Sequence, residues 1–283
     1  MTSVLVTGAA GFIGGALCRR LKRSGHEVFE LTSEHGDIAR RETLAGAPAA
    51  RHVFHLAGRT FVPDSWLDPA GFQRTNVLGT ANVLEYCRTH GARLTFVSAY
   101  LYGAPERLPV SEDVIPRPNN PYALSKYLAE QSCAFYASCY GTSVTVIRPF
   151  NIFGPGQPDI FLIPQIIRQI REKRAIRVSD LAPRRDFVYL DDFVDALVRT
   201  LNFASGYQVI NIGSGRSLSV RDVIETVQDV AGTHLPIETD GETRRGEIND
   251  VYADIAKASA LLEWTPKLTF RQGIERMLLR SGD

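Results

Sequence analysis

The glycine-rich segment near the start of the chain constrains the fold more than any other sequence feature. Residues 4–6 form a short apolar, β-branched run, which is typical of a buried parallel strand. Segment 8–14 follows directly with the spacing G-x-x-G-x-x-G, and apolar residues then recur at helical spacing. A strand, a glycine turn and a helix in this order are the context that a phosphate-binding turn requires. The sequence therefore predicts a βα unit that binds a dinucleotide.

Each glycine of this turn has its own physical use. Gly8 permits a tight turn, Gly11 lets backbone approach a pyrophosphate, and Gly14 lets the helix pack against the strand. The free N–H groups at the helix N-terminus then face the phosphates. We therefore assign five residues to the cofactor site, namely Gly8, Gly11, Phe12, Ile13 and Gly14.

The end of the second predicted strand, at residues 27–31, bears on the choice between NADP and NAD. An acidic residue there would hold the 2′-hydroxyl of the NAD adenosine ribose. This chain has Thr32, which does not repel a 2′-phosphate and can donate a hydrogen bond to it. Glu34 lies close by, and no arginine follows the strand immediately. We expect NADP, used as NADPH, with NAD as the alternative.

Further residues are assigned to the same cofactor. Asp37 and Ile38 are placed to cap the adenine amino group, with helix capping as the alternative for Asp37. A second apolar strand at residues 53–56 ends in small residues, which let a flat cofactor lie close to the backbone. Asn76, in the helix predicted for residues 72–90, is either a structural hydrogen-bonding residue or a catalytic one. The remaining cofactor assignments are Leu56, Ala57, Gly58 and Pro149.

Tyr122 and Lys126, together with Ser98, form a set of residues suited to proton transfer. A phenol has a pKa of about 10 and releases its proton poorly near neutral pH. A neighbouring ammonium favours the phenolate, so we expect Lys126 to lower the tyrosine pKa. The spacing of four residues places both side chains on one helix face. The Ser98 hydroxyl can hold a substrate alcohol or carbonyl in line for proton transfer. These three residues are the predicted catalytic set.

Composition excludes several classes of function. The chain has 283 residues and a formal net charge of +1, without a basic stripe, so nucleic acid is not an expected partner. It has no apolar run of about 18 residues, so no membrane span is expected. Its 4 cysteines lack CxxC spacing, which argues against a zinc site or a disulfide framework. We expect a cytoplasmic enzyme with reduced thiols and no metal.

The order of strand and helix signals predicts the fold class. They alternate from residue 3 to about 148, as a doubly wound parallel sheet requires. Beyond that point a loop appears, and later helices alternate with short strands. We predict an α/β chain with a Rossmann-type dinucleotide-binding domain over residues 1–150. Residues 151–283 are predicted to form mainly a smaller substrate lobe, with some segments returning to the first domain.

These motifs, in this order, resemble those of the extended short-chain dehydrogenase/reductases, and in particular the nucleotide-sugar epimerases, dehydratases and reductases. The resemblance covers nearly all of the chain. It implies that Tyr122 is the acid/base and that Lys126 binds the nicotinamide ribose. It places Ser98, five residues before the glycine of a Tyr-Gly pair, opposite the tyrosine.

The resemblance also implies a nucleotide-diphospho-sugar as the substrate. Asn151, which follows an Arg-Pro-Phe sequence, would contact the sugar diphosphate. Arg185 and Arg244 would each bind a phosphate, which suits charge-assisted, bidentate recognition. Tyr100 would pack against the substrate, and a role as a second proton carrier stays open.

Two helices, at residues 72–90 and 120–140, resemble those that build a two-fold dimer interface in this family. We therefore expect a homodimer. Burial against the chain's own sheet fits the apolar residues of these helices equally well. The residues concerned are Leu84, Leu128, Phe135 and Tyr136.

The residues after Ser98 narrow the activity. The 4,6-dehydratases carry an Asp-Glu pair where this chain has Ala99 and Tyr100, so elimination lacks its acid and base. GDP-fucose synthases have a cysteine at the position of Tyr100. Stretches at residues 65–69, 151–157 and 180–187 most resemble GDP-6-deoxy-4-keto-mannose reductases.

Two positions depart from the family pattern. Ile152 replaces the histidine usual in those reductases, and Glu263 replaces the glycine of a C-terminal Gly-Trp-x-Pro signature. We predict a nucleotide-diphospho-4-keto-6-deoxy-sugar 4-reductase in which Tyr122 donates the proton. An NAD-dependent nucleotide-sugar 4-epimerase is the main alternative, and a UDP-glucuronate decarboxylase is a weaker one. A non-catalytic cofactor sensor is disfavoured by the intact catalytic set.

Overall fold

The computed structural model describes residues 2–203, 206–241 and 246–279 of the chain. Its strands are β1 (Ser3–Thr7), β2 (Glu27–Leu31), β3 (His52–His55), β4 (Arg93–Val97), β5 (Val144–Pro149), β6 (Asn151–Phe153), β7 (Ile176–Val178), β8 (Arg184–Tyr189), β9 (Tyr207–Ile212), β10 (Ser217–Ser219), β11 (Ile237–Thr239) and β12 (Asp250–Val251). Its α-helices are α1 (Phe12–Arg23), α2 (Glu42–Ala45), α3 (Val62–Leu67), α4 (Pro69–Gln73), α5 (Gly79–His90), α6 (Pro121–Tyr140), α7 (Leu162–Arg171), α8 (Leu190–Arg199), α9 (Val220–Ala231), α10 (Ala256–Leu262) and α11 (Phe270–Leu279).

The main sheet of the described ranges is parallel, with the strand order β2-β1-β3-β4-β5-β9. The chain moves from β1 to β2 on one side and then crosses back to β3 on the other side. In such sheets, ligands bind outside the carboxyl ends of the strands at the point where the order reverses. The glycine turn after β1 and segment 56–58 after β3 both lie at this point.

Helices cover both faces of the sheet because its strands are apolar on both faces. Val4 and Val6 of β1 face one core, to which α1 and α8 contribute. Leu5 faces the opposite core, formed with α5 and α6. This alternation follows from the two-residue repeat of a strand. The predicted doubly wound architecture is the one observed.

Some elements from beyond residue 150 lie with the first domain. β9 pairs in parallel with β5, from Val144 opposite Tyr207 to Pro149 opposite Ile212. Helix α8 packs against α1. The smaller lobe is built on β8, which pairs with β6, β10 and β12, and on helices α7, α9 and α11. Since β6 starts almost directly after β5, the chain passes from one lobe into the other at the carboxyl edge of the main sheet.

The helix predicted for residues 72–90 is divided into parts. α4 ends at Gln73, a π-helical turn occupies Arg74–Leu78, and α5 begins at Gly79. Such a turn inserts an extra residue into the helical repeat and is frequent at functional sites. Leu84 on α5 is fully buried in the chain's own core, which is the second of the two alternatives that the sequence left open for it.

Glu263 ends α10 in the left-handed region, with a φ of 50°. This conformation favours glycine at helix ends, which accounts for the glycine in the signature that residues 263–266 resemble. The next residue, Trp264, is buried and donates its indole N–H to the Asp192 carbonyl at 2.9 Å. The turn is therefore held in place although its first residue carries a side chain.

Two further observations concern cysteines and membrane spans. Cys18, Cys87 and Cys133 are buried free thiols, and Cys139 is an exposed one. Within residues 2–203, 206–241 and 246–279, no helix combines the length and the apolar character that crossing a membrane requires.

Candidate active site

The glycine turn forms a close-packed cradle at the N-terminus of α1. A Cβ on Gly14 would lie 2.1 Å from the Gly8 carbonyl oxygen, and a Cβ on Gly8 would lie 2.7 Å from the Ala57 nitrogen. Gly8 also has a φ of 70°, which favours glycine. Gly11 is the N-cap of α1, so the first N–H groups of the helix point out of the turn. Backbone of this shape fits a dinucleotide pyrophosphate.

The assigned neighbours of this cradle are arranged around it. Phe12 and Ile13 begin α1 and pack, half-buried, against the core. Leu56 and Ala57 follow β3, and Ala57 donates its N–H to the Thr7 hydroxyl at 3.2 Å. Pro149 ends β5 and is buried. The structure thus places these cofactor assignments along the carboxyl ends of β1, β3 and β5.

Thr32 stands at the end of β2, as expected, but its hydroxyl has local partners. It accepts a hydrogen bond from the Glu34 N–H at 3.3 Å and pairs with Nδ1 of His35 at 3.1 Å. Asp37 accepts the Ala39 N–H at 3.0 Å within a turn, so it does not cap the next helix, whose N-cap is Arg41. The cavity beside them is lined by His35, Gly36, Asp37, Arg40, Glu42, Thr43 and Arg74.

Ile38 is buried and lies against α5, since a Cβ on Gly79 would come within 2.8 Å of its side chain. Its carbonyl accepts a hydrogen bond from the Asn82 amide at 3.0 Å. These contacts fix Ile38 against α5, and its assignment to the adenine stays a prediction.

Asn76 lies in the π-helical turn and connects two parts of the site. Its Oδ1 accepts the Arg59 N–H at 2.9 Å, and its Nδ2 donates to the Arg59 carbonyl at 3.0 Å. The same Nδ2 donates to the Ser125 hydroxyl on α6 at 2.8 Å. A Cβ on Gly58 would lie 2.9 Å from Oδ1 of Asn76 and 3.8 Å from Nζ of Lys126. Asn76 thereby ties the segment after β3 to the helix that carries the catalytic residues.

His55 extends this arrangement into the sheet. The Thr7 hydroxyl lies 2.7 Å from its Nδ1, and the Thr80 hydroxyl lies 3.0 Å from its Nε2. Because Thr80 donates to the Asn76 carbonyl at 2.6 Å, it accepts from Nε2, which therefore carries the proton. Burial and the nearby Lys126 lower the pKa of His55 to about 3, so the ring is neutral.

Ser98 follows β4 and is 3% exposed. Among the described residues, its Oγ has no hydrogen-bond partner, which is uncommon for a buried hydroxyl. The loop that begins at Ser98 packs on the start of α6, because Ala99 and Leu101 contact Ala123 beside Tyr122. The hydroxyl is therefore available to a ligand at the carboxyl edge of the sheet.

Lys126 reaches the same edge from α6. Its Nζ donates to the carbonyl of Val97 at 2.7 Å, directly before Ser98, and lies 4.6 Å from the centre of the Phe96 ring. Burial lowers the pKa of Lys126 to about 8, and Glu130 acts in the opposite direction. Lys126 and Ser98 are thus brought together as predicted.

Tyr122 is also at this edge, but its acidity differs from the expectation. Burial raises the pKa of Tyr122 above its ordinary value, and the neighbouring phenol of Tyr100 adds to this effect. The expected lowering by Lys126 is wrong for this arrangement, because removal of the phenol from water sets the direction of the pKa shift. Tyr122 is consequently protonated at neutral pH, which is the form that donates a proton.

Tyr100 and Asn151 form one wall of the site. The Tyr100 ring stacks on Phe150 with centroids 5.2 Å apart, and its hydroxyl donates to Oδ1 of Asn151 at 3.4 Å. Asn151 donates its Nδ2 to the Asp186 carbonyl on β8 at 2.9 Å. Tyr100 and Asn151 are therefore held together next to β8 of the smaller lobe.

Arg185 is placed on β8 with its guanidinium held by protein groups. It forms an ion pair with Glu247 and donates to the Ile248 carbonyl, and it donates to the Arg184 carbonyl at 2.7 Å. Arg185 and Glu247 are only 16% and 15% exposed. A phosphate would have to replace Glu247 as the partner of this arginine. Arg244 lies outside the described residues.

Several residues of the site carry no clear sequence signal. The hydrogen bonds of Asn76 depend on a π-helical turn that apolar spacing does not reveal. Glu130 and Arg148 form a buried ion pair below Lys126, although the four-residue spacing of Lys126 and Glu130 on α6 is visible in the sequence. Together, the glycine cradle and the unpartnered Ser98 hydroxyl beside a protonated tyrosine suit hydride chemistry on a carbonyl or an alcohol.

Comparison with known proteins agrees with this geometry. The model of the NAD dependent epimerase/dehydratase family matches residues 4–213. The chain belongs to this family. The resemblance drawn from its motifs, its Rossmann-type fold and its nature as an enzyme of this family are thereby confirmed.

Similar proteins in this family include both reductases and epimerases. GDP-6-deoxy-D-mannose reductase of Pseudomonas aeruginosa is 35% identical, over 97% of this chain and 95% of its own. The structure of RMD from Pseudomonas aeruginosa complexed with NADPH has a TM-score of 0.90 and 33% identity, covering 99% of this chain and 98% of that one. UDP-glucose 4-epimerase of Thermus thermophilus, in complex with NAD, has a TM-score of 0.90 and 28% identity, covering 99% and 100%.

Proposed function

We propose that this enzyme is a nucleotide-diphospho-sugar 4-ketoreductase that acts on a 4-keto-6-deoxy sugar. The observation that carries the proposal is the buried, unpartnered Ser98 hydroxyl beside a protonated Tyr122, in a site whose positions 99 and 100 hold no carboxylate. Similarity to GDP-6-deoxy-D-mannose reductase supports the same choice. We place the reaction in the cytoplasm, which suits a chain whose cysteines are free thiols.

Each catalytic residue has a role in this reaction. A nicotinamide cofactor bound at the glycine turn would supply hydride to the carbonyl carbon. Tyr122 donates its proton to the oxygen, which would otherwise become an alkoxide, and Ser98 hydrogen-bonds the same oxygen. Lys126 holds the nicotinamide ribose and adds positive charge where negative charge develops. Tyr100, Asn151, Arg185 and Arg244 are proposed to bind the nucleotide-diphospho-sugar.

The rival function is a nucleotide-sugar 4-epimerase, supported by similarity to UDP-glucose 4-epimerase in complex with NAD. The same three catalytic residues serve both reactions. An epimerase oxidises and then reduces its substrate, so it recycles one tightly held NAD. A net reductase has to exchange the oxidised cofactor for NADPH at every turnover.

The cofactor carried through purification separates the two functions. We would denature freshly purified protein and identify the released nucleotide by mass spectrometry. The proposal predicts an empty site, together with thermal stabilisation by NADPH that exceeds stabilisation by NADH. Stoichiometric NAD in the released fraction would favour the epimerase and overturn the proposed cofactor.

NADP is the proposed cofactor because Thr32, directly after β2, places no carboxylate where the 2′-phosphate would lie. Arg40 and Arg74 line the adjacent cavity together with Asp37 and Glu42. Thr32→Asp should shift the preference from NADPH towards NADH by roughly tenfold, since a carboxylate repels a 2′-phosphate and accepts from a ribose hydroxyl. Thr32→Asn is the matched uncharged control. A preference for NADH in the wild type would contradict the assignment.

We also propose a homodimer that uses the outer face of α6. Leu124, Leu128 and Phe135 repeat at helical spacing and are 43%, 38% and 55% exposed, which is unusual for residues of this type in one stripe. A second copy of the chain would bury this stripe. Light scattering coupled to gel filtration should give about twice the mass of 31.3 kDa, and Leu128→Lys with Phe135→Lys should restore the monomer.

A further inference from the structure

A run of buried polar side chains lies below the catalytic residues and has no part in the chemistry proposed above. Glu130 on α6 and Arg148 on β5 are 1% and 5% exposed and form an ion pair. Arg148 donates its Nε to Oε1 of Glu130 at 3.0 Å and its Nη2 to Oε2 at 2.6 Å. Both charges are therefore compensated inside the fold by a bidentate contact.

The same arginine extends the run to the loop after β4 and to the neighbouring strand β9. Its Nη1 donates to the Tyr102 hydroxyl at 3.0 Å, and that hydroxyl donates to Oδ1 of Asn211 at 2.6 Å. Asn211, on β9, donates its Nδ2 to the Val110 carbonyl at 3.0 Å. We call Glu130, Arg148, Tyr102 and Asn211 the polar chain.

The polar chain connects two segments that carry catalytic residues. Glu130 lies one helical turn beyond Lys126 on α6. Tyr102 belongs to the loop that begins at Ser98 after β4. Arg148 stands on β5 and Asn211 stands opposite it on β9, and these are paired strands of the main sheet. The catalytic helix and the Ser98 loop are therefore fixed to one rigid frame.

Glu130 also supplies the negative charge that faces Lys126. The other titratable groups around this ammonium are Cys133 on the same helix and His55 on β3. Burial keeps His55 neutral by lowering its pKa to about 3, and burial raises the pKa of the Cys133 thiol. Glu130 is therefore the group that opposes loss of the Lys126 proton.

We propose that the polar chain is a positioning device: it holds the Ser98 loop in register with the catalytic helix and keeps a carboxylate beside Lys126. Its members act through the catalytic residues and do not touch the reacting atoms. A buried ion pair adds little net stability compared with apolar residues of the same volume. Alignment and charge balance are the properties that apolar residues would not provide.

The direct test is the pKa of Lys126 itself, measured from the ¹³Cε chemical shift of lysine-labelled protein during a pH titration. The Lys126 pKa of the wild-type protein is expected to be about 8. Glu130→Gln should lower it by about one pH unit, because the carboxylate that favours the ammonium is removed. The Lys126 signal is assigned by its loss in Lys126→Met. The reference signals come from Lys22, Lys173, Lys257 and Lys267.

Glu85→Gln is the matched control for this titration. Glu85 resembles Glu130 in accepting hydrogen bonds from an arginine, Arg88, and it accepts a further one from Tyr136. Its side chain is 33% exposed on α5. This variant should leave the Lys126 pKa unchanged. A fall in the Lys126 pKa of the same size in Glu85→Gln would show a general effect of lost charge and would overturn the proposal.

A second variant covers the case in which Glu130→Gln does not fold. Glu130→Gln combined with Arg148→Met removes both charges, so neither is left unpaired in the interior. The Lys126 pKa should again fall. An unchanged value in whichever variant folds would overturn the assigned role of Glu130.

Tyr102→Phe tests the connection to the Ser98 loop, and this part rests on the proposed function. The variant keeps the ring and loses the hydrogen bonds to Arg148 and Asn211. We expect kcat to fall about tenfold through misalignment, with the Lys126 pKa and the NADPH affinity unchanged. An unchanged kcat would overturn the positioning of this loop. Since the titration needs no substrate, failure of the polar chain and failure of the proposed reaction are distinguishable.

Discussion

The cofactor side and the substrate side of the site are built on different principles. On the cofactor side, the cradle depends on backbone contact, as at Gly14, where any side chain would meet the Gly8 carbonyl. On the substrate side, Arg185 is held by Glu247 through a contact between two side chains of opposite charge. A backbone cradle keeps its shape with or without a ligand. A paired arginine has to exchange its partner before it can bind a phosphate.

This difference teaches where specificity resides in the fold. A fixed backbone cradle has a shape that does not depend on which sugar is bound. The exchangeable ion pairs and the loops around Asn151 are the parts that can differ between substrates. Substitutions on each side of the site test this contrast, and the largest effect is expected at Tyr122.

Tyr122→Phe should reduce kcat by about 10³-fold, because it removes the general acid and keeps the shape of the ring. NADPH affinity, measured by fluorescence titration, should change by less than about twofold, because the phenol hydroxyl adds little to cofactor binding. Tyr127→Phe, one turn away in the same apolar cluster, is the control and should retain full activity. Full turnover in Tyr122→Phe would remove the assigned proton donor.

Gly14→Ala should lower the free energy of unfolding by about 3 kcal/mol, because its Cβ would overlap backbone that cannot move aside. Gly15→Ala is the matched control, since its Cβ would meet its nearest atom, the end of the Arg19 side chain, at 3.4 Å. This control should be neutral or slightly stabilising. Urea denaturation measures both variants. Equal stability in the two would contradict the rigid cradle.

Arg185→Lys should raise KM for the nucleotide sugar about tenfold, because an ammonium cannot reproduce bidentate phosphate contacts. The NADPH affinity should remain at the wild-type value. Arg184→Lys, whose partners are Ser217, Asp222 and Asp250, is the neighbouring control. If both variants raise KM equally, Arg185 has only a structural role. The substrate side would then be a fixed framework, as the cofactor side is.

Glu263→Gly should raise the free energy of unfolding by about 0.5–1 kcal/mol, because glycine relieves the left-handed backbone at the end of α10. Glu263→Ala removes the same side chain without relieving the backbone, so its stability should stay at the wild-type value. Thermal unfolding distinguishes the two. A gain in both variants would assign the effect to the carboxylate.

Motifs set by the backbone are the ones that sequence predicts well. Local spacing identifies the glycine turn and the Tyr122/Lys126 pair, because a single turn or helix brings their members together. It also identifies the segments after β2 and β3 that carry Thr32 and Gly58. The alternation of strands and helices that predicts a doubly wound sheet is local in the same sense. These features needed no knowledge of distant contacts.

Features that depend on burial or on distant partners were not predictable in this way. The predicted direction of the Tyr122 pKa shift was wrong because desolvation depends on the packed structure. The pairing of Arg185 with Glu247 joins residues 62 positions apart in the sequence. Leu84 has the same helical spacing whether it faces its own sheet or a second copy. Only the packed core shows that it faces the sheet.

The central claim is net reduction at C4 by NADPH, and transfer of a labelled hydride tests it most directly. The enzyme would be incubated with a panel of 4-keto-6-deoxy nucleotide sugars and with NADPH that carries deuterium at both positions of the nicotinamide C4. The label is then transferred whichever face of the nicotinamide donates the hydride. We predict one deuterium at C4 of the sugar product for each NADPH oxidised, as measured by mass spectrometry and NMR. Nucleotide sugars with a C4 hydroxyl would be offered in parallel reactions. Their conversion to the C4 epimer without NADPH oxidation, together with no deuterium transfer to any 4-keto sugar, would contradict the account and identify an epimerase.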